Sequence, residues 1–150
     1  MPAYFLDASA LVKRYLRETG SDWLRQLLAT ENPRIFISSL SGPEVLAAIT
    51  RKGRTGEIAP SEQERAIETF RNEFTSSYAV IAPGPAVIRR AMELIVAHPL
   101  RAYDAVQLAS VLALPPVPSR IRLTFVAADE RLLTVANQMG LPTENPNLHT

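Results

Sequence analysis

The chain has 150 residues, with 16 basic and 15 acidic side chains, a formal net charge of +1 and no cysteine. That length suits one domain, residues 1–150, with a core of its own, and the lack of cysteine excludes a disulfide framework or a thiolate zinc cluster and fits a reducing cytosol. A near-zero net charge selects no class of partner, no apolar run approaches the length that spans a bilayer, and an N-terminus without a basic stretch, broken by Asp7, does not read as a signal peptide.

Tyr4-Phe5-Leu6 is a short apolar run that ends in Asp7 and Ser9. Near-continuous apolar character marks a parallel strand buried on both faces. Ala8 to Leu16 then reads as a helix. Ser21 to Leu28 reads as a second, with Gly20 as stop and Ser21 as cap between them. Its apolar stripe is Trp23, Leu24, Leu27 and Leu28. Arg34 to Ser38 is β-branched and aromatic, a second strand. Ser41-Gly42-Pro43-Glu44 opens a third helix that ends in the basic turn Arg51-Lys52-Gly53-Arg54. A fourth helix runs from Pro60 to about Phe74, with Ile67, Phe70 and Phe74 inward. Tyr78 to Ala82 is a third strand, and Ala86 to Ala97 a fifth helix closed by His98-Pro99. Ala102 to Leu114 is apolar on most sides and predicts a buried sixth helix. Pro115 to Ser119 reads as a stiff, extended loop. Leu123 to Ala127 is a fourth strand, and Asp129 opens a seventh helix stopped by Gly140. Leu141 to Glu144 suits an edge strand, and Asn145 to Thr150 reads as a loose tail. Strands alternating with helices predict an α/β fold in three α-β-α layers, a four- to five-stranded, mainly parallel sheet flanked by about seven helices. Its ligand crevice belongs beside the first strand, where the winding reverses.

Acids stand where that crevice should be. Asp7 follows the first strand and Asp129 the fourth, while Glu44 and Asp104 sit in the first turns of helices three and six. Each also has a structural reading. Asp7 and Ser9 suit helix caps, Ser41-x-x-Glu44 is a capping-box pattern, and first-turn acids such as Asp104 and Asp129 complement a helix dipole. Helix N-termini in such a fold gather at the carboxyl end of the sheet, so the four carboxylates converge. Several carboxylates in one cleft need a counter-charge. Oxygen-only donors suit Mg²⁺ or Mn²⁺, whereas zinc favours His or Cys.

Phe5-Leu6-Asp7-Ala8-Ser9-Ala10-Leu11-Val12-Lys13 resembles the opening "LDxSALVK" of PIN-domain ribonucleases, in particular the VapC toxins of bacterial and archaeal toxin–antitoxin pairs. Ser39 to Val45 is similar to that family's second motif. Leu100-Arg101-Ala102-Tyr103-Asp104-Ala105-Val106-Gln107-Leu108-Ala109 is similar to the third, "LRAxDAxxLA", and Phe125 to Leu133 resembles the fourth. Many relatives carry Ser or Thr where this chain has Ala127. The resemblance implies a PIN-like fold and a cytoplasmic, Mg²⁺-dependent endoribonuclease (Mn²⁺ a substitute) in which Asp7, Glu44, Asp104 and Asp129 hold one or two metals that activate water for in-line attack on phosphorus. Ser9 would orient a carboxylate or a bound water. The partners it implies are an RNA substrate, a VapB-like antitoxin and a second copy of the chain, with no membrane.

Arg101 is a candidate for phosphate contact or for pairing with Asp104. Lys13, Arg14 and Arg17 either track RNA phosphates or form a solvated face. Arg51, Lys52 and Arg54 read as a solvated helix end, and His98 as a helix-end cation. Trp23, Phe70 and Phe74 read as core. Two other functions fit parts of the pattern: a phosphoaspartyl hydrolase with Asp7 as nucleophile, which requires a catalytic lysine, and a catalytically silent PIN scaffold that binds a partner protein.

Overall fold

The computed structural model describes residues 2–30, 32–115 and 122–150. The Pro116–Ser119 part of the proline-rich loop lies outside them. β1 (Ala3–Leu6) is the middle strand of a five-stranded sheet that also contains β2 (Arg34–Ser38), β3 (Ala79–Ile81), β4 (Leu123–Val126) and β5 (Thr143–Glu144). The order is β3-β2-β1-β4-β5, and every neighbouring pair is parallel. Phe5 is in register with Phe36 on β2 and Phe125 on β4. The chain winds outward through β2 and β3, then returns to β4, so the reversal falls between β1 and β4.

Side chains alternate across a strand, and β1 divides the core accordingly. Phe5 packs with Phe125, Ala105, Leu108 and Leu132 on one face. Leu6 packs with Leu11, Ile37, Ile49 and Phe70 on the other. Both are fully buried, and burial of such side chains stabilises by about 1.5–3 kcal/mol each. The first face is covered by α5 (Pro85–Ala97), α6 (Ala102–Leu112) and α7 (Glu130–Gln138). The second is covered by α1 (Ala8–Leu11), α2 (Ser21–Ala29), α3 (Ser41–Arg54) and α4 (Pro60–Ser76).

Four local expectations change. The helix expected over Ala8–Leu16 is α1 followed by a 3-10 turn, Val12–Arg14. There Tyr15 N–H donates to Val12 O at 3.0 Å, the i to i−3 bonding that winds the chain tighter. The Ser41-x-x-Glu44 capping box does not form. Leu40 is the capping position, and Ser41 Oγ instead accepts from Gln107 Nε2 at 3.1 Å, deep between α3 and α6. Ser21 is likewise not the cap of α2; that position is Gly20.

The tail is not loose. Pro146–Leu148 forms a 3-10 turn begun by Asn145, whose Oδ1 accepts from Asn147 N–H at 2.9 Å. The His149 ring stacks on Trp23, with centroids 4.2 Å apart, and its Nε2 meets Glu144 Oε2 at 2.8 Å. Trp23 is therefore only half-buried, closing the core through the tail. Gly20 permits this approach. Its φ is +85°, and a Cβ there would sit 2.2 Å from Pro146 O. No pattern of hydropathy marks such a contact, which depends on one glycine and one stacked ring.

Candidate active site

Asp7 leaves the end of β1 in an extended conformation and caps α1. Its Oδ2 accepts from Ser9 N–H at 3.1 Å and from the Ser9 hydroxyl. Ser9 Oγ also accepts from Ala128 N–H at 3.0 Å, across the sheet reversal. One hydroxyl thus ties the end of β1 to the loop that leads into Asp129. This bears on Ala127, which is fully buried and donates its N–H to Glu144 O at 3.1 Å. The loop lacks a hydroxyl at 127, and Ser9 holds it at Ala128. Asp129 caps α7, and both of its capping bonds, from Arg131 N–H at 3.0 Å and Leu132 N–H at 3.2 Å, fall on Oδ1.

Glu44 and Asp104 come from the first turns of α3 and α6. With Asp7 and Asp129 they line one cleft of about 490 Å³, together with Ser9, Arg51, Arg101 and Tyr103. A second hollow of about 210 Å³ adjoins it through Arg101, Asp104 and Asp129, and extends to Arg131. For Asp7 and Asp129 the capping and cleft readings are therefore compatible: the cap uses one carboxylate oxygen and the helix start puts the side chain at the crevice. A larger cavity, about 640 Å³, lies elsewhere, by the start of β2. Its lining carboxylate, Glu73, pairs with Arg14 at 3.2 Å.

The electrostatics agree with crowding of like charge. Burial is the largest cause that raises the Asp7 pKa; the two Ser9 hydrogen bonds oppose it and the charge of Asp129 adds to it. Burial, then Asp7 and Asp104, push Glu44 up to about 7. Burial, then Asp7 and Asp129, push Asp104 up to about 6, against the pull of Arg101. Carboxylates crowded into one cleft with raised pKa values mark a site that takes up protons or a cation.

A divalent cation fits the residues present. The donors are carboxylate oxygens, with no His or Cys in the cleft lining. Glu44 Oε1 is buried without a hydrogen-bond partner, an acceptor left for something else to satisfy. Among the described residues, no three His, Asp or Glu side chains are already gathered at ligation range. The donors face one cleft without being closed around a point.

The other sequence candidates divide. Arg101 lines the cleft and makes no ion pair among the described residues. Lys13 does not reach it. Lys13 is buried, with Nζ 3.3 Å from Glu18 Oε1, and Lys52 Nζ lies 3.2 Å from Glu18 Oε2. Neither an RNA contact nor a solvated face describes Lys13; the 3-10 turn has brought it inside, and Glu18 neutralises it. Arg14 pairs with Glu73, and Arg17 with Asp22 at 3.4 Å. Lys13→Met keeps the aliphatic packing and removes the charge, so it should destabilise the fold by about 1–2 kcal/mol in a urea melt. RNA cleavage per folded molecule should stay unchanged; a fall in cleavage at equal stability would return Lys13 to the substrate face.

Arg51 and Tyr103 also line the cleft, a position that the sequence reading gives to neither. Arg51 suits a solvated helix end, yet it lies seven residues after Glu44, two turns along the same face of α3. That spacing is the available signal. Tyr103 carries none, because it adjoins Asp104 in a helix that is apolar on most sides and reads as buried.

The PIN domain profile matches residues 4–137. Ribonuclease VapC45 of Mycobacterium tuberculosis is 36% identical over 140 residues, covering 93% of each chain. Among solved structures, FitAcB from Neisseria gonorrhoeae superposes with a TM-score of 0.67 at 12% identity, over 98% of this chain and 99% of that one. A toxin–antitoxin complex from Klebsiella pneumoniae gives 0.64 at 16% identity, over 95% and 97%. The profile and the identity extend across nearly the whole sequence, and the chain belongs to the PIN domain family, among the VapC ribonucleases.

Proposed function

We propose that this chain is a divalent-metal-dependent endoribonuclease, the toxin of a VapBC-type pair, with one PIN domain over residues 1–150. The observation that carries the reading is the convergence of Asp7, Glu44, Asp104 and Asp129 on one cleft at the sheet reversal. The names of its relatives supply the substrate class. The phosphoaspartyl alternative loses support, because the chain's two lysines, Lys13 and Lys52, are both tied to Glu18 and neither lines the cleft.

In this reading the four acids hold Mg²⁺, with Mn²⁺ as a substitute. The bound cation supplies Lewis-acid polarisation of the scissile phosphate and lowers the pKa of the attacking water. The chain's own residues do the rest. Ser9 fixes the Asp7 carboxylate and locks it to the loop carrying Asp129. The bonds to Asp129 Oδ1 orient that carboxylate and leave Oδ2 to the cleft. Arg101 offers a cation to a phosphate oxygen or the leaving group. The test is incubation of the purified protein with end-labelled RNA in Mg²⁺ and in EDTA. Discrete fragments in magnesium alone support the reading, and intact RNA in both contradicts it.

The surface is compatible with two of the proposed partners. A basic antitoxin segment bearing Arg or Lys suits the acid cleft and would screen it. Changing that residue to Ala should relieve inhibition, and unchanged inhibition would argue against this docking mode. A second copy fits the outer face of α5, where Ile88, Met92, Ile95 and Val96 stand 41%, 61%, 39% and 90% exposed at helical spacing. Replacing Met92 and Val96 with Glu should halve the mass in light scattering. Cytoplasmic placement goes with this function; no helix among the described residues is long and apolar enough to cross a membrane.

A further inference from the structure

Tyr103 stands out on α6. Its neighbours Ala105, Gln107 and Leu108 are fully buried, while Tyr103 is 61% exposed. Its ring makes no stacking contact and its hydroxyl no hydrogen bond among the described residues. A tyrosine that neither packs nor bonds adds little to the fold. Yet it lines the same cleft as the four acids. Arg51 lines the same cleft from α3, exposed and outside any ion pair among the described residues, unlike Lys13, Arg14, Arg17 and Lys52. Ala47 and Ala48 line the space along the same helix face, and their small side chains leave room for a planar group.

We propose that Tyr103 and Arg51 form a nucleotide subsite beside the acids, in which the Tyr103 ring stacks on one unpaired base and the Arg51 guanidinium takes an adjoining phosphate. The inference rests on the ribonuclease reading. An aromatic face accepts any base, and a base is free to stack on protein only when it is out of a duplex. The subsite therefore selects the unpaired state of the RNA and not its sequence. It also holds the strand next to the acids, so that a neighbouring phosphodiester lies over them. The hydroxyl of Tyr103 plays no part, which separates this role from hydrogen-bonded readout.

The test is fluorescence anisotropy with a labelled, mixed-sequence single-stranded oligoribonucleotide in EDTA, where no cleavage occurs. Tyr103→Ala should weaken binding by about 5- to 150-fold, and Tyr103→Phe should bind as the wild type does. Arg51→Ala should weaken binding and reduce the slope of log affinity against log salt by about 0.7. Equal affinity of wild type and Tyr103→Ala would overturn the subsite, and so would a Tyr103→Phe loss as large as that of Tyr103→Ala. A Tyr103→Ala protein that changes mass in light scattering but not RNA affinity would assign the ring to a subunit contact and overturn it too. A wild type that binds no RNA in EDTA, or RNA binding indifferent to Tyr103 and Arg51, overturns the subsite alone, and the ribonuclease reading stands or falls separately on cleavage in Mg²⁺.

Discussion

Asp7→Asn and Asp104→Asn should each lower Mg²⁺-dependent RNA cleavage by at least about a thousandfold, with native circular dichroism. Both side chains keep their shape in the amide. At position 7 the amide oxygen still accepts the Ser9 N–H that caps α1, so the local fold is preserved. What disappears is negative charge at the cleft, and several kcal/mol of transition-state stabilisation by a cation depends on that charge. A structural role predicts otherwise. If Asp104 only complemented the dipole of α6, Asn would change stability by less than about 1 kcal/mol and leave turnover alone. Substantial cleavage by either variant, at matched magnesium, would remove that residue from the metal site.

The second large effect is on stability. Glu44 is held at about 7 and Asp104 at about 6, against ordinary values of 4.5 and 3.8. A carboxylate whose folded pKa is raised destabilises the fold when ionised, fully so above the folded value. That penalty shrinks as pH falls and is gone below the ordinary value. In EDTA these two groups therefore make the protein more stable as pH drops from about 7 towards 4.5. Both side chains are partly solvated, so the gain is about 1–3 kcal/mol in total and less than the full shifts imply. At neutral pH without metal, Asp104→Asn should melt higher than the wild type, by about 1–2 kcal/mol of stability. Magnesium should raise the melting temperature of the wild type and do so far less for the variant. Thermal melts of both proteins, in EDTA and in magnesium, check every part of this. A destabilised Asp104→Asn that responds to magnesium as the wild type does would contradict the shared cleft.

Most of this fold is legible in the sequence because its determinants are local. Apolar runs such as Phe5-Leu6 and Ile35-Phe36-Ile37 are buried on both faces, so they show as strands without alternation. The acids are legible for a related reason, since a strand that ends at an Asp and then turns helical delivers that Asp to the crevice whatever else it does. Illegible features depend on distant partners. Lys13 looks like a solvent cation because nothing nearby says that Glu18 will meet it indoors. Ser41 looks like a cap because Gln107, whose Nε2 donates to its hydroxyl oxygen, is 66 residues away. Arg51 is hidden by its own plausibility as a helix-end cation, a role open to any basic residue near a C-terminus. The tail needs Gly20 and Trp23, neither of which announces a contact with Pro146 or His149.

Central to the account is that the four acids hold a divalent cation. Titration calorimetry with Mn²⁺ at pH 7, repeated in buffers of different ionisation enthalpy, tests it most directly. Glu44 is partly protonated at that pH, and metal binding must release the proton. The account predicts saturable binding to the wild type, a heat that varies with the buffer, and loss of most of the affinity in Asp104→Asn. Wild-type protein with no saturable heat, or equal affinity in the variant, would contradict it.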